Sequence, residues 1–141
     1  MTRRPGVNKS MIAFSHAAIA VRDLDESIRL YTELLGAPPR LVRDLPEQKI
    51  KLALFKTASG NIELIASSDS ASPIQKFVND RGGGLHHISL KVPDIDRKLE
   101  ELKSKGFRLV DQIPRIGAEG HKIAFVHPSS FSNVLIELEE E

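Results

Sequence analysis

The 141-residue chain contains no cysteine, which excludes disulfides, thiolate metal sites and cysteine nucleophiles. It also lacks a charge excess: 20 Lys and Arg against 19 Asp and Glu leave a net charge of +1. No basic run is longer than Arg3-Arg4, so bulk charge points to neither nucleic acid nor an anionic membrane as partner. No apolar run approaches the roughly 18 residues of a membrane span. Met1 to Ser10 is polar and carries no apolar signal-peptide core. The expectation is a soluble intracellular protein, cytoplasmic, or in the mitochondrial matrix if the source is eukaryotic. Residues 1–10 are expected to form a flexible arm ahead of a single domain over 11–141.

What is present is a repeat. His16 to Val21 and His87 to Val92 each open with a histidine, alternate apolar residues and close on valine. Asp23-Leu24-Asp25 follows the first and Asp94-Ile95-Asp96 the second, at the same offset (87 − 16 = 71 and 94 − 23 = 71). Ile62-Glu63-Leu64 is echoed by Ile136-Glu137-Leu138. Two histidines and two glutamates therefore stand at matching places in two copies of one module.

The pattern within each copy reads β, α, then three strands. In the first, Ile12 to Val21 alternates as a strand. Asp23 is an N-cap, with Glu26 completing a capping box. Leu24, Ile28, Tyr31, Leu34 and Leu35 then recur at helical spacing up to a stop at Gly36. Strands are predicted at Leu41 to Leu45, Ile50 to Lys56 and Ile62 to Ala66, with a turn at Pro46 and a hairpin at Ser59-Gly60-Asn61. Ser72-Pro73 starts a short linker helix within about 72–81, and three glycines, 82 to 84, break the chain. The second copy has a strand at Leu85 to Val92 and a helix from Ile95 to Lys105. Strands follow at Phe107 to Ile113, Lys122 to His127 and Val134 to Glu139, with a loop at Pro114 to Gly120. The fold class is α+β, with modules over about 12–66 and 85–139.

Singly, a histidine on an apolar strand is more often an interior or edge residue than a ligand. A glutamate between apolar neighbours is usually the solvent-facing position of an alternating strand. As a set the four read differently. Duplicated modules about a pseudo-twofold axis would bring His16 to His87 and Glu63 to Glu137. Two neutral imidazoles and two carboxylates suit a divalent ion such as Co, Mn, Ni, Zn or Fe, and the residue types do not choose among these. Adjacent strand residues face opposite sides, so only one of His86 and His87 can match His16. The repeat register selects His87 and leaves His86 in a supporting or pocket role. His121 and His127 have no repeat partner and read as ordinary polar positions, with His127 close to a pocket.

These residues resemble the methylmalonyl-CoA epimerase family of the vicinal oxygen chelate superfamily, which also holds glyoxalase I and extradiol dioxygenases. The matching stretches include Pro46-Glu47-Gln48, Asn61 to Leu64, Gly84-Leu85-His86-His87-Ile88, Pro114 to Gly117, Phe125 to Pro128 and Val134 to Leu138. With the others they span residues 12 to 139. The resemblance implies paired βαβββ modules whose curved mixed sheets enclose a divalent metal held by His16, Glu63, His87 and Glu137. It places Glu47 at the catalytic base, with Glu137 as its partner on the other face of the substrate. The implied reaction interconverts (2R)- and (2S)-methylmalonyl-CoA through a metal-stabilised enolate, in a homodimer. Lys49 stands where the family commonly has glycine, Ser129 where a lysine is usual, and Phe131-Ser132-Asn133 where the approach to the last strand is usually glycine-rich.

Two other classes fit the fold less well. A glyoxalase I-like lyase or an extradiol dioxygenase would be another metal enzyme, but the Pro-Glu-Gln and His-Pro segments do not suggest the first and the second leaves Glu63 without a role. A non-catalytic small-molecule binding protein of this fold should lack the ligand set.

Overall fold

The structure, a computed structural model, describes residues 11–141; the N-terminal arm expected over 1–10 lies outside the described residues. The chain divides into two compact units, His16–His87 and Ile88–Glu141 together with the described residues through Ser15. The boundaries run along two strands, β1 (Ala13–Ala20) and β5 (Gly84–Val92).

The unit His16–His87 carries α1 (Leu24–Leu35), β2 (Leu41–Leu45), β3 (Ile50–Thr57), β4 (Gly60–Ser67) and α2 (Pro73–Arg81). Its strands lie in the order β2-β3-β4-β1. Hairpin connections make β2·β3 and β3·β4 antiparallel, whereas the long path through α1 returns β4 parallel to β1. Helix α1 starts where the Asp23 carboxylate accepts from the Glu26 N–H at 3.1 Å. The Glu26 carboxylate turns outward to Arg29, at 2.6 and 3.1 Å, so the other half of the expected capping box is replaced by an ion pair. Gly36 ends the helix at φ 75°, a conformation that costs a residue with a Cβ roughly 1–2 kcal/mol. Leu24, Ile28, Tyr31 and Leu35 pack with Val21 and Ile19 on Ala53, Phe55 and Leu64. Leu34, expected on that stripe, is 73% exposed. Leu52, Leu54 and Ile65 lie on the opposite sheet face and are also buried. Both faces of β3 and β4 are therefore covered.

The other unit holds the rest of β5, then α3 (Ile95–Ser104), β6 (Arg115–Ile116), β7 (Lys122–Val126) and β8 (Ile136–Glu140). The order is β5-β8-β7-β6, with β5·β8 parallel and the other pairs antiparallel. Asp94 caps α3, and Ile95 and Leu99 bury against Val92, Leu109, Ala124, Val126 and Leu138. The element order is thus β-α-β-β-β twice over, the α+β class expected.

One strand differs. Phe107 to Ile113, predicted as a strand, forms only a single bridge between Leu109 and Val126. The Val110 and Asp111 N–H groups both donate to the Phe125 carbonyl, at 3.0 and 3.1 Å. The Asp111 carboxylate accepts the Phe125 N–H at 2.8 Å. Two donors converging on one carbonyl, with a side chain taking the ladder's place, is bulge chemistry and ends regular pairing. The second strand of the module is instead the two-residue β6, inside the segment expected to be loop. It is closed by the Gly117 N–H to His121 carbonyl bond of 2.9 Å.

Candidate metal and catalytic site

In the unit His16–His87, the parallel register sets Ala18 opposite Glu63 and His16 opposite Asn61. His16 and Ala18 are two apart on β1, so the His16 and Glu63 side chains share a sheet face. His16 Nε2 lies 3.7 Å from Glu63 Oε2. The His16 and His87 rings meet edge to face, with centroids 5.5 Å apart. Both histidines are buried, and only 16% of the Glu63 side chain is exposed. Burial first, then the neighbouring His86 and His16 rings, pushes the His87 pKa down to about 3. A neutral imidazole keeps a nitrogen lone pair for a cation, and imidazoles together with a carboxylate are the donor chemistry of divalent transition metals and zinc. The donor types of His16, His87 and Glu63 suit a divalent ion.

His86 sits behind this trio. Its Nδ1 lies 2.8 Å from His87 Nδ1, and its ring packs on Phe77 of α2 at 4.9 Å. The Arg81 guanidinium lies over the Phe77 ring, 5.0 Å from its centroid. Burial and then the Arg81 charge hold the His86 pKa below its usual value.

Glu137 belongs to the other unit. It pairs with Ser89 across β5·β8 and with Phe125 across β7·β8, on the face opposite Leu138. Burial raises its carboxyl to about 7. The facing Ser89 hydroxyl opposes that rise, the Glu139 carboxylate adds to it, and the Arg115 guanidinium opposes it. Arg115 itself lies over the Phe125 ring at 5.6 Å. Glu47 stands on a short 3-10 turn, Pro46–Gln48, between β2 and β3, and is exposed. Lys49 closes the turn in the left-handed conformation at φ 59°, its N–H donating to the Pro46 carbonyl at 3.1 Å. Lysine therefore adopts the backbone that a glycine would take there with less strain.

The family model of the Glyoxalase/Bleomycin resistance protein/Dioxygenase superfamily matches residues 15–125. The chain is 36% identical over 128 residues to the mitochondrial methylmalonyl-CoA epimerase of Dictyostelium discoideum, covering 90% of this chain and 77% of that one. It is 35% identical over 128 residues to the ethylmalonyl-CoA/methylmalonyl-CoA epimerase of Cereibacter sphaeroides, covering 89% and 96%. The crystal structure of methylmalonyl-CoA epimerase from Mycobacterium tuberculosis matches with a TM-score of 0.88 at 34% identity, covering 96% of this chain and 93% of that one. The chain belongs to the methylmalonyl-CoA epimerase family. Its fold is the vicinal oxygen chelate fold of the superfamily.

Against that family background, several buried polar groups were not singled out in the sequence. Glu139 is buried on the same face of β8 as Glu137 and accepts from the Ser15 hydroxyl at 3.0 Å. Ser89 is wholly buried. The available signal was the i, i+2 spacing of Glu137 and Glu139, which on a strand commits both to one face. His127, by contrast, has a local role. Its Nδ1 accepts the Ser129 N–H at 3.0 Å and caps the 3-10 turn Pro128–Ser130. His121 is exposed in the turn before β7. Among the described residues, no helix is long and apolar enough to cross a membrane.

Proposed function

We propose that the protein is a metal-dependent epimerase that interconverts (2R)- and (2S)-methylmalonyl-CoA. The observation that carries the proposal is the clustering of three donor side chains: the His16 and His87 rings 5.5 Å apart, with Glu63 3.7 Å from His16. Membership of the epimerase family supplies the reaction class. The proposed ligands are His16, Glu63 and His87, with Glu137 as the fourth. A divalent ion held there (Co, Mn, Ni, Zn or Fe) would supply positive charge to the thioester and carboxylate oxygens as negative charge develops on them.

The rest is work for the side chains. The carbon-2 proton lies between a thioester and a carboxylate, and inversion requires its removal on one face and return on the other. Glu47, exposed on its turn, is the base for one face. Glu137 serves the other, the role that the family resemblance implies for it. The acyl-CoA is the partner, and the protein is a homodimer by family resemblance, a state that light scattering on the purified protein would check.

The deciding experiment is deuterium uptake at carbon 2 of (2R)-methylmalonyl-CoA in heavy water, with and without added divalent metal. Ethylmalonyl-CoA is run beside it to gauge substrate breadth. Metal-dependent exchange by wild type, lost in Glu47→Gln and His87→Ala, is the expected result. Folded protein that exchanges nothing with any of the five metals would end the epimerase reading.

A further inference from the structure

His86 and His87 are consecutive on β5, and their Nδ1 atoms lie 2.8 Å apart, with the rings at 78° and centroids 5.1 Å apart. Consecutive strand residues project to opposite faces. Nδ1, however, is bonded to the ring carbon next to Cβ, so this atom of each ring can reach its neighbour across the backbone. Only one proton can lie between the two nitrogens, and the bond therefore has two senses with opposite consequences.

If His86 donates, His87 accepts at Nδ1 and carries its own proton on Nε2. Neither His87 nitrogen then has a lone pair to offer. If His87 donates, its proton is on Nδ1 and Nε2 is bare, while His86 accepts at Nδ1 and keeps its proton on Nε2. We infer that the second sense holds, and that His86 is a positioning residue that locks His87 into the Nδ1–H tautomer and presents Nε2 as a ligand. The inference rests on the proposed use of His87 as a metal ligand and goes beyond it, because it assigns a task to a residue outside the ligand set. A hydrogen-bond acceptor behind a ligating imidazole sets both its tautomer and its ring orientation.

The surroundings of His86 hold its ring in place. Its ring is held against Phe77, and the Arg81 guanidinium lies over that same Phe77 ring at 5.0 Å. Helix α2 thus contributes to the site without contributing a ligand. Its Phe77 fixes the plane of the His86 ring.

Two measurements test this. The first is long-range proton–nitrogen correlation NMR on nitrogen-15-labelled, metal-free wild type at neutral pH, which reads the tautomer of each ring. The expected result is His87 protonated at Nδ1 and His86 at Nε2. His87 protonated at Nε2 would overturn the inference. The second is cobalt(II) titration, followed by visible absorbance, of wild type, His86→Leu and His86→Asn. Leucine keeps apolar packing on Phe77 but accepts nothing, and affinity should fall roughly 10- to 100-fold. Asparagine places a carbonyl oxygen at about the position of Nδ1, and affinity should return close to wild type. Equal affinity in the leucine variant, or equal loss in both variants, would overturn the inference. If the leucine variant does not fold, the wild-type tautomers and the asparagine variant still decide. A wild type that takes up no cobalt would defeat the metal reading itself, while the NMR result would still decide the tautomer.

Discussion

The Ser15 hydroxyl donates to Glu139 Oε2 at 3.0 Å, and both residues are buried. The bond spans 124 positions of sequence and ties the start of β1 to the last strand. Ser15→Ala removes it without adding bulk. A loss of about 1–2 kcal/mol in urea unfolding is expected, with no change in the slope against denaturant. A change below a few tenths of a kcal/mol would mean that Glu139 draws its support elsewhere.

Glu137 makes the metal-free protein lose stability as pH rises from about 4.5 to about 7. Its carboxyl is raised from 4.5 to about 7, chiefly by burial, so the folded state binds a proton that the unfolded state has released. Its contribution is complete below the unfolded value, decays as pH rises from about 4.5, and is gone once pH has passed through about 7. The total is about 3 kcal/mol. Urea melts of chelator-treated protein across this window should show that decline, and Glu137→Gln should flatten it. Added metal should recover more stability on the alkaline side, because a ligand must be deprotonated. A pH-independent difference between wild type and Glu137→Gln would contradict the assignment.

Gly83 is irreplaceable for a steric reason. A Cβ built there would stand 2.8 Å from the Ala20 carbonyl oxygen, at a backbone φ of 102°. Neither can relax cheaply, since the obstacle is backbone. Gly83→Ala should cost roughly 2–3 kcal/mol. Gly36 has nothing within 4 Å of its added Cβ, so Gly36→Ala should cost only the left-handed strain, roughly 1–2 kcal/mol. Thermal melts of the two variants rank them.

Lys49 holds its turn at φ 59° and pays the strain of a side chain there. Lys49→Gly relieves about 1–2 kcal/mol of that strain and gives back part of it in chain entropy. A net stabilisation of up to about 1 kcal/mol is expected, with deuterium exchange unchanged because the turn that carries Glu47 is already formed. A large fall in exchange would show that the lysine side chain itself takes part.

How much of this was legible beforehand differs from element to element. The repeat predicted β-α-β-β-β twice, and Asp23, Gly36, Ser72 and Asp94 mark helix ends where they were expected. The strand predicted at Phe107 to Ile113 was the miss. Its alternation is real, but two of its N–H groups converge on Phe125, a partner almost fifteen residues downstream that no local window contains. Leu34 fits the helical spacing of α1 and still faces outward, because periodicity gives a stripe and the packing partner chooses its width.

The amino-acid sequence by itself determined where helices begin and end, which residues recur in register, and therefore which histidines and glutamates to compare. Caps, turns and side-chain periodicity act over a few residues, so a reader of the chain has all the terms. Only the tertiary structure decided which polar residues are buried. Glu137 and Glu139 have the alternation of a solvent-facing edge, yet both are buried. His86 and His87 were expected on opposite faces, yet they meet at a ring nitrogen. Burial and contact depend on what covers a strand, and the covering residues lie tens of positions away in sequence.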